Sequence, residues 1–264
     1  MMKTSGLPTA AQTQLLSLVV PYGLLTAEQL MHLAGYATLR YAQDRLKTLA
    51  DLGFLDRPQR IGLAVGGSEP LVYWLSRRGR DFLRSQEIDP GILIRDPAPI
   101  TRRHTLRVND VLIAAQVFCR RDDRFSLSDC RSDATLRRQI KGPAVPDGWL
   151  DFRIKLTDGL YQVPLLLEVD RGTMARQRFQ AKVTALEAWI AGGGYQQTFG
   201  TDALEAIAVV GEHARLADWI RASAREPALF RVTTAEPLPD AGAFFLDRVW
   251  RIPGQPDPVA LIEL

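Results

Sequence analysis

The sequence predicts an α/β protein, α+β overall, whose helices and strands divide between two domains. Three observations carry this. The N-terminal third shows three helical periodicities and then two short strand-like runs. A stretch holding three prolines interrupts the chain, and helix-like and strand-like segments alternate beyond it. The expected domains are residues 1–86 and 101–264, joined by a proline-rich linker at 87–100.

Composition narrows the class. With 46% hydrophobic and 24% charged residues among 264, the chain is globular in type and not disordered. Its longest apolar runs, such as Leu15 to Val20 before Pro21, fall short of the roughly 20 residues that a membrane-spanning helix needs. No signal-peptide pattern opens it, and a cytoplasmic setting without membrane contact is expected. Cys119 and Cys130 form no CxxC pair and there are three histidines, so neither a disulfide framework nor a zinc site is indicated. Charge is unevenly shared: residues 1–145 hold 21 Lys and Arg against 14 Asp and Glu, and residues 146–264 hold 12 against 16. The basic half suits a polyanionic partner.

In chain order, the first helix covers Thr9 to Val20, with its leucines on one face. The second, Thr26 to Gly35, opens on a threonine cap and closes on glycine. The third, Ala37 to Gly53, repeats Leu39, Ala42, Leu46 and Leu49 at the spacing of a buried stripe, and Arg40, Tyr41, Asp44, Lys47 and Thr48 point the other way. The runs FLDRPQR and LVYWLS flank a glycine-rich GLAVGGSEP as a hairpin, and RRGRDFLRS is a fourth helix. Two short helices, a longer one with a basic outer face and a hairpin make a winged helix-turn-helix. In such a module the third helix enters the major groove of double-stranded DNA. Candidate DNA contacts are Thr38, Arg40, Tyr41, Asp44, Lys47, Thr48, Arg57 and Arg60; Tyr73 and Trp74 are expected in the core. A winged helix used for protein contacts or dimerisation is the alternative.

Past the linker, RRHTLRVNDVLIAAQVFCRR is a helix, RFSLS a strand, and PDGWLDFRI a half-exposed strand with Leu150, Phe152 and Ile154 on one face and Trp149, Asp151 and Arg153 on the other. LLLEVDRGT, Leu165 to Thr173, ends the next strand, joined through Thr157 to Gly159 as a hairpin. Residues 173–194 form a long helix stopped by glycines; strand, helix and strand follow, and FFLDRVWRIPGQ reads as a last strand pair. Glu168 and Asp170 share a face of their strand, and buried carboxylates need pairing, hydrogen bonds or a cation.

With Asp147 leading one strand and Glu168-Val169-Asp170 ending the next before a long helix, this region resembles the PD-(D/E)XK nuclease fold, a mixed-sheet restriction-endonuclease-like domain. The resemblance implies Mg²⁺ or Mn²⁺ on Asp147 and Glu168, with Asp170 and, on the preceding helix, Asp110 as further acids. Asp170 stands where the motif lysine is expected, so Lys182 on the following helix takes the catalytic lysine's place beside Asp147 and Glu168, with Gln180 as a lesser substitute. In the other reading the acids are structural ions paired with Arg171 or Arg153.

Together with RHTLRVNDVLIA and a helix bearing Phe179 and Lys182, these pieces resemble the replication-relaxation family over most of residues 10–190. That resemblance implies DNA binding in the replication, relaxation or mobilisation of plasmids and other mobile elements. Candidate partners besides DNA are a second copy of the chain and other mobile-element proteins. An active Mg²⁺-dependent endonuclease and a winged-helix transcription repressor remain alternatives.

Overall fold

The computed structural model describes residues 6–57, 70–91, 98–142, 144–213 and 215–264. Two compact units divide it, Met1–Asn109 and Asp110–Leu264. The first carries α1 (Ala10–Val19), β1 (Leu24–Thr26), α2 (Ala27–Ala34), α3 (Leu39–Asp51), β2 (Leu55–Asp56), β3 (Val72–Leu75) and α4 (Arg77–Ser85). The helix starts follow the chain's own punctuation. Thr9 and Thr26 each form a reciprocal capping box with a glutamine three residues on, Thr38 caps α3, and Gly35 ends α2 in the left-handed conformation at φ 69°.

The three strands form an antiparallel sheet in the order β1-β3-β2, so the central strand is β3. Tyr73 and Trp74 are both buried there, as expected. β1 is additional to the expected elements. Within the stripe of α3, Ala42, Leu46 and Leu49 are fully buried, whereas Leu39 is 41% exposed because it is the first residue of the helix. Arg60 and the hairpin tip lie outside the described residues, as do residues 92–97 of the linker.

The division between the units falls inside α5 (Pro99–Arg121), later than the expected 101, because the first half of that helix packs on the small sheet. Leu106 covers Leu24, Val72 and Trp74, its carbonyl accepts from Gln29 Nε2 at 2.8 Å, and buried Asn109 donates to the carbonyls of Tyr22 and Leu24.

The second unit contains β4 (Phe125–Ser132), α6 (Asp133–Gln139), β5 (Gly148–Leu156), β6 (Gly159–Asp170), α7 (Arg176–Ala191), α8 (Gly194–Phe199), β7 (Ala206–Gly211), α9 (Arg215–Arg221), β8 (Phe230–Thr233), α10 (Ala241–Leu246), β9 (Trp250–Arg251) and β10 (Pro258–Val259). Its seven strands run in the order β10-β9-β8-β7-β6-β5-β4. β4, β5 and β6 are an antiparallel meander, and β6, β7 and β8 are parallel neighbours. The whole is mixed α/β, α+β in class.

Both faces of this sheet are covered. On one, Trp149, Leu166, Ile207 and Val209 pack with Phe179, Val183 and Leu186 of α7 and Tyr195 of α8. On the other, Phe118 of α5, Phe152 of β5 and Phe245 of α10 form a ring cluster. The expectation that Trp149, Asp151 and Arg153 make a half-exposed face is thereby corrected. Trp149 stacks on Phe199 of α8 at 4.3 Å, and Asp151 is 4% exposed, held by Ser128, Arg153 and Gln162. The expected terminal strand pair is corrected too: Phe244, Phe245 and Leu246 are helical in α10, and β9 begins only at Trp250.

Candidate functional site

Asp147 precedes β5, and its backbone N–H extends the ladder by donating to the Leu167 carbonyl at 2.9 Å. Its carboxylate turns to the neighbouring strand, where Oδ2 accepts from the Val169 N–H at 2.9 Å. The alternation of β6 puts Leu165, Leu167 and Val169 on one face and Leu166, Glu168 and Asp170 on the face under α7. Asp147, Glu168 and Asp170 are all buried, at 2%, 6% and 3% exposure.

Helix α7 lays Phe179, Val183 and Leu186 on that face. Lys182 lies beside this stripe, and its ammonium reaches both acids: it pairs with Glu168 Oε2 and lies 3.3 and 3.4 Å from the two oxygens of Asp147. Asp147, Glu168 and Lys182, from three separate parts of the chain, thus converge. Gln180 does not join them; it donates to the Trp219 carbonyl.

Electrostatics follow from depth. Burial pushes the Glu168 carboxyl above the usual carboxylate range; the Lys182 charge pulls against this and the Asp147 carboxylate adds to it. For Lys182, burial favours the neutral amine, but Glu168 and Asp147 outweigh it and hold the ammonium above the ordinary lysine range. Glu168 Oε1 is buried with no hydrogen-bond partner.

Asp170 faces elsewhere. Its Oδ2 accepts from the Gly172 N–H at 3.1 Å and lies 4.0 Å from His213 Nε2, and burial raises its pKa. The backbone at Gly172, with φ 66°, comes against Glu212 and His213 just past β7. Asp110 is half-buried on α5. Among the described residues, no group of three or more His, Cys, Asp or Glu is arranged to hold a metal ion.

In the first unit the predicted contact residues of α3 share its exposed side but are engaged with one another. Arg40 pairs with Asp44 at 3.1 Å, and Asp51 holds both Lys47 at 3.4 Å and Arg57 at 3.7 Å. Thr48 donates to the Asp44 carbonyl, and Thr38 is occupied as the cap, accepting from Tyr41 N–H. Sequence reasoning missed Arg45. It lies over the Tyr41 ring at 4.5 Å and donates to the Tyr41 hydroxyl, while Tyr36 meets that ring edge-on. The i, i+4 spacing of Tyr41 and Arg45 is the signal that finds this pair.

Fold and site define a mixed α/β protein whose second unit carries a buried carboxylate–lysine cluster between a strand end and a helix. The chain belongs to the replication-relaxation family, whose sequence model matches residues 16–202, taking in α2 through α8 and all three clustered residues. Membership suggests a role in the replication or relaxation of mobile elements. No curated protein and no solved structure matches the chain. Among the described residues no helix is long and apolar enough to cross a membrane.

Proposed function

We propose that the protein binds double-stranded DNA of a plasmid or other mobile element, acting in its replication, relaxation or mobilisation or in their regulation. In this reading α1 to α3 and β1 to β3 serve as a winged helix-turn-helix, and the second unit is a nuclease-like domain that holds DNA without cutting it. Charge supports the first part: residues 1–109 contain 14 Lys and Arg against 9 Asp and Glu, whereas residues 110–264 contain 19 against 21.

The observation that carries the second part is the Lys182 ammonium between Asp147 and Glu168. Carboxylate oxygens are suitable donors for Mg²⁺ or Mn²⁺, but here the Lys182 ammonium already stands between them and offsets one of their two charges. This arrangement does not fit a divalent ion.

The test is binding of labelled duplex DNA across a salt series. Affinity is expected to fall steeply with salt and to survive Asp147→Asn and Glu168→Gln. Absence of duplex binding at low salt overturns the proposal.

One observation favours a second reading, a Mg²⁺- or Mn²⁺-dependent endonuclease: the unpartnered, buried Glu168 Oε1. Incubating supercoiled plasmid with each metal separates the two. Nicking that disappears in Glu168→Gln establishes the nuclease, and intact plasmid with both metals eliminates it.

A further inference from the structure

The parallel strands β6 and β7 end side by side, with Asp170 opposite Gly211. The chain leaving each strand returns over the same face as α7 and as α9, which pack together through Phe179 and Trp219, ring centroids 5.9 Å apart. Both helices therefore begin at the carboxyl edge of the sheet, the edge at which Asp170 and its neighbours sit.

Arginines open both helices. Arg176 and Arg178 lie in the first turn of α7, and Arg215 is the first residue of α9. All three are exposed. Among the described residues none of them makes a salt bridge or side-chain hydrogen bond, whereas Arg124, Arg137 and Arg221 of the same unit each pair with an aspartate. Arg178 stands one helical turn before Lys182, on the side of α7 that carries the buried cluster. Glu212 and, in the first turn of α9, Asp218 are exposed acids at this edge; Asp218 is paired with Arg221 at 4.0 Å, so the three arginines outnumber the acids left to face them within a unit whose acids outnumber its bases.

We propose that Arg176, Arg178 and Arg215 form a second DNA-contacting surface, one that grips the phosphodiester backbone of duplex DNA at the carboxyl edge of β6 and β7. The inference rests on the DNA-binding reading above and names the surface by which the second unit holds the duplex. Guanidinium groups with no internal acid partner are free to donate two hydrogen bonds to a phosphate. Backbone contacts of this kind position DNA without reading its sequence. Lys182, by pairing with Asp147 and Glu168, offsets one of the two carboxylate charges that a phosphate would otherwise meet beside this rim.

The experiment uses the full chain and labelled duplex DNA of arbitrary sequence. Each phosphate neutralised contributes about 0.9 to the slope of log affinity against log salt. The triple variant R176E/R178E/R215E is therefore expected to lower that slope by about 2 to 3 and to weaken binding at least tenfold at ~0.1 M salt. The matching lysine variant, R176K/R178K/R215K, is expected to keep most of both. Wild-type slope and affinity in the glutamate variant overturn the proposal and leave DNA binding by the first unit intact; absence of binding by the wild type removes both. Should the glutamate variant melt early, R176A/R178A measured against the lysine variant decides in the same way.

Discussion

Asp147 and Glu168 are 2% and 6% exposed, and charge at that depth is stable only with a partner. Lys182 supplies it, with a quarter of its own side chain facing solvent. Lys182→Met is expected to destabilise the protein by about 3 kcal/mol, the low end for breaking a buried pair because solvent reaches the ammonium. Adding Glu168→Gln should restore part of that loss, since it removes the carboxylate left without a cation. Urea unfolding midpoints check both steps, and a wild-type midpoint for Lys182→Met refutes the account. A second residue-scale expectation concerns the thiols. Burial, reinforced by Asp122 beside Cys119 and by Asp129 beside Cys130, raises each pKa from 9.0 to about 12. A raised folded pKa means that the protonated thiols contribute stability fully below pH ~9 and lose it as pH rises toward 12. At pH ~8 both should react with a thiol reagent at least tenfold more slowly in the native protein than in denaturant. Equal rates would show that neither thiol is protected.

At the scale of elements, α4 shows how closely its first turn is fitted. Ser76 Oγ accepts from the Gly79 N–H at 3.0 Å and donates to the Gly53 carbonyl at 2.7 Å. A Cβ on Gly79 would come 2.1 Å from the Phe54 carbonyl oxygen. Gly79→Ala should therefore destabilise by about 2 kcal/mol, because overpacking outweighs the gain in helix propensity. A thermal melt checks the sign; a higher midpoint would mean that α4 can shift away freely. The elements legible in the sequence were those with local signals: Thr26 announced α2 and Gly35 closed it, the apolar stripe of Ala42, Leu46 and Leu49 marked α3, and β5 and β6 showed as a hairpin. The ones missed had none. α6 and α8 are short and polar or aromatic, and β1 is three residues whose partner, β3, lies far along the chain. Periodicity likewise placed Trp149 on an open face because it cannot see Phe199 of α8 arriving to cover it. Strand alternation put Glu168 and Asp170 on one face, but Asp147 and Lys182 were grouped with Glu168 only through the resemblance to a nuclease fold, because no local pattern tells which residues of other elements reach a strand end. The turn of Asp170 toward Gly172 and His213 was not legible, since it depends on the loop after β7.

For the whole molecule, charge and contact are distributed between two units with separate cores, Met1–Asn109 being basic and Asp110–Leu264 slightly acidic. Within the second, β6 is the strand at which the sheet changes from antiparallel to parallel pairing. One edge of β6 closes through the tight turn that ends at Gly159; the other waits for α7 and α8 to be traversed before β7 can dock. Closing the longer loop costs more chain entropy before any contact rewards it. Amides of the β4–β5–β6 meander are therefore expected to gain protection before those of β7 and β8 in pulsed hydrogen exchange during refolding, and simultaneous protection would contradict this. Glu168 belongs to the early meander: its cluster needs only that meander and α7, so the charge pair can form before the parallel half of the sheet exists to shelter it.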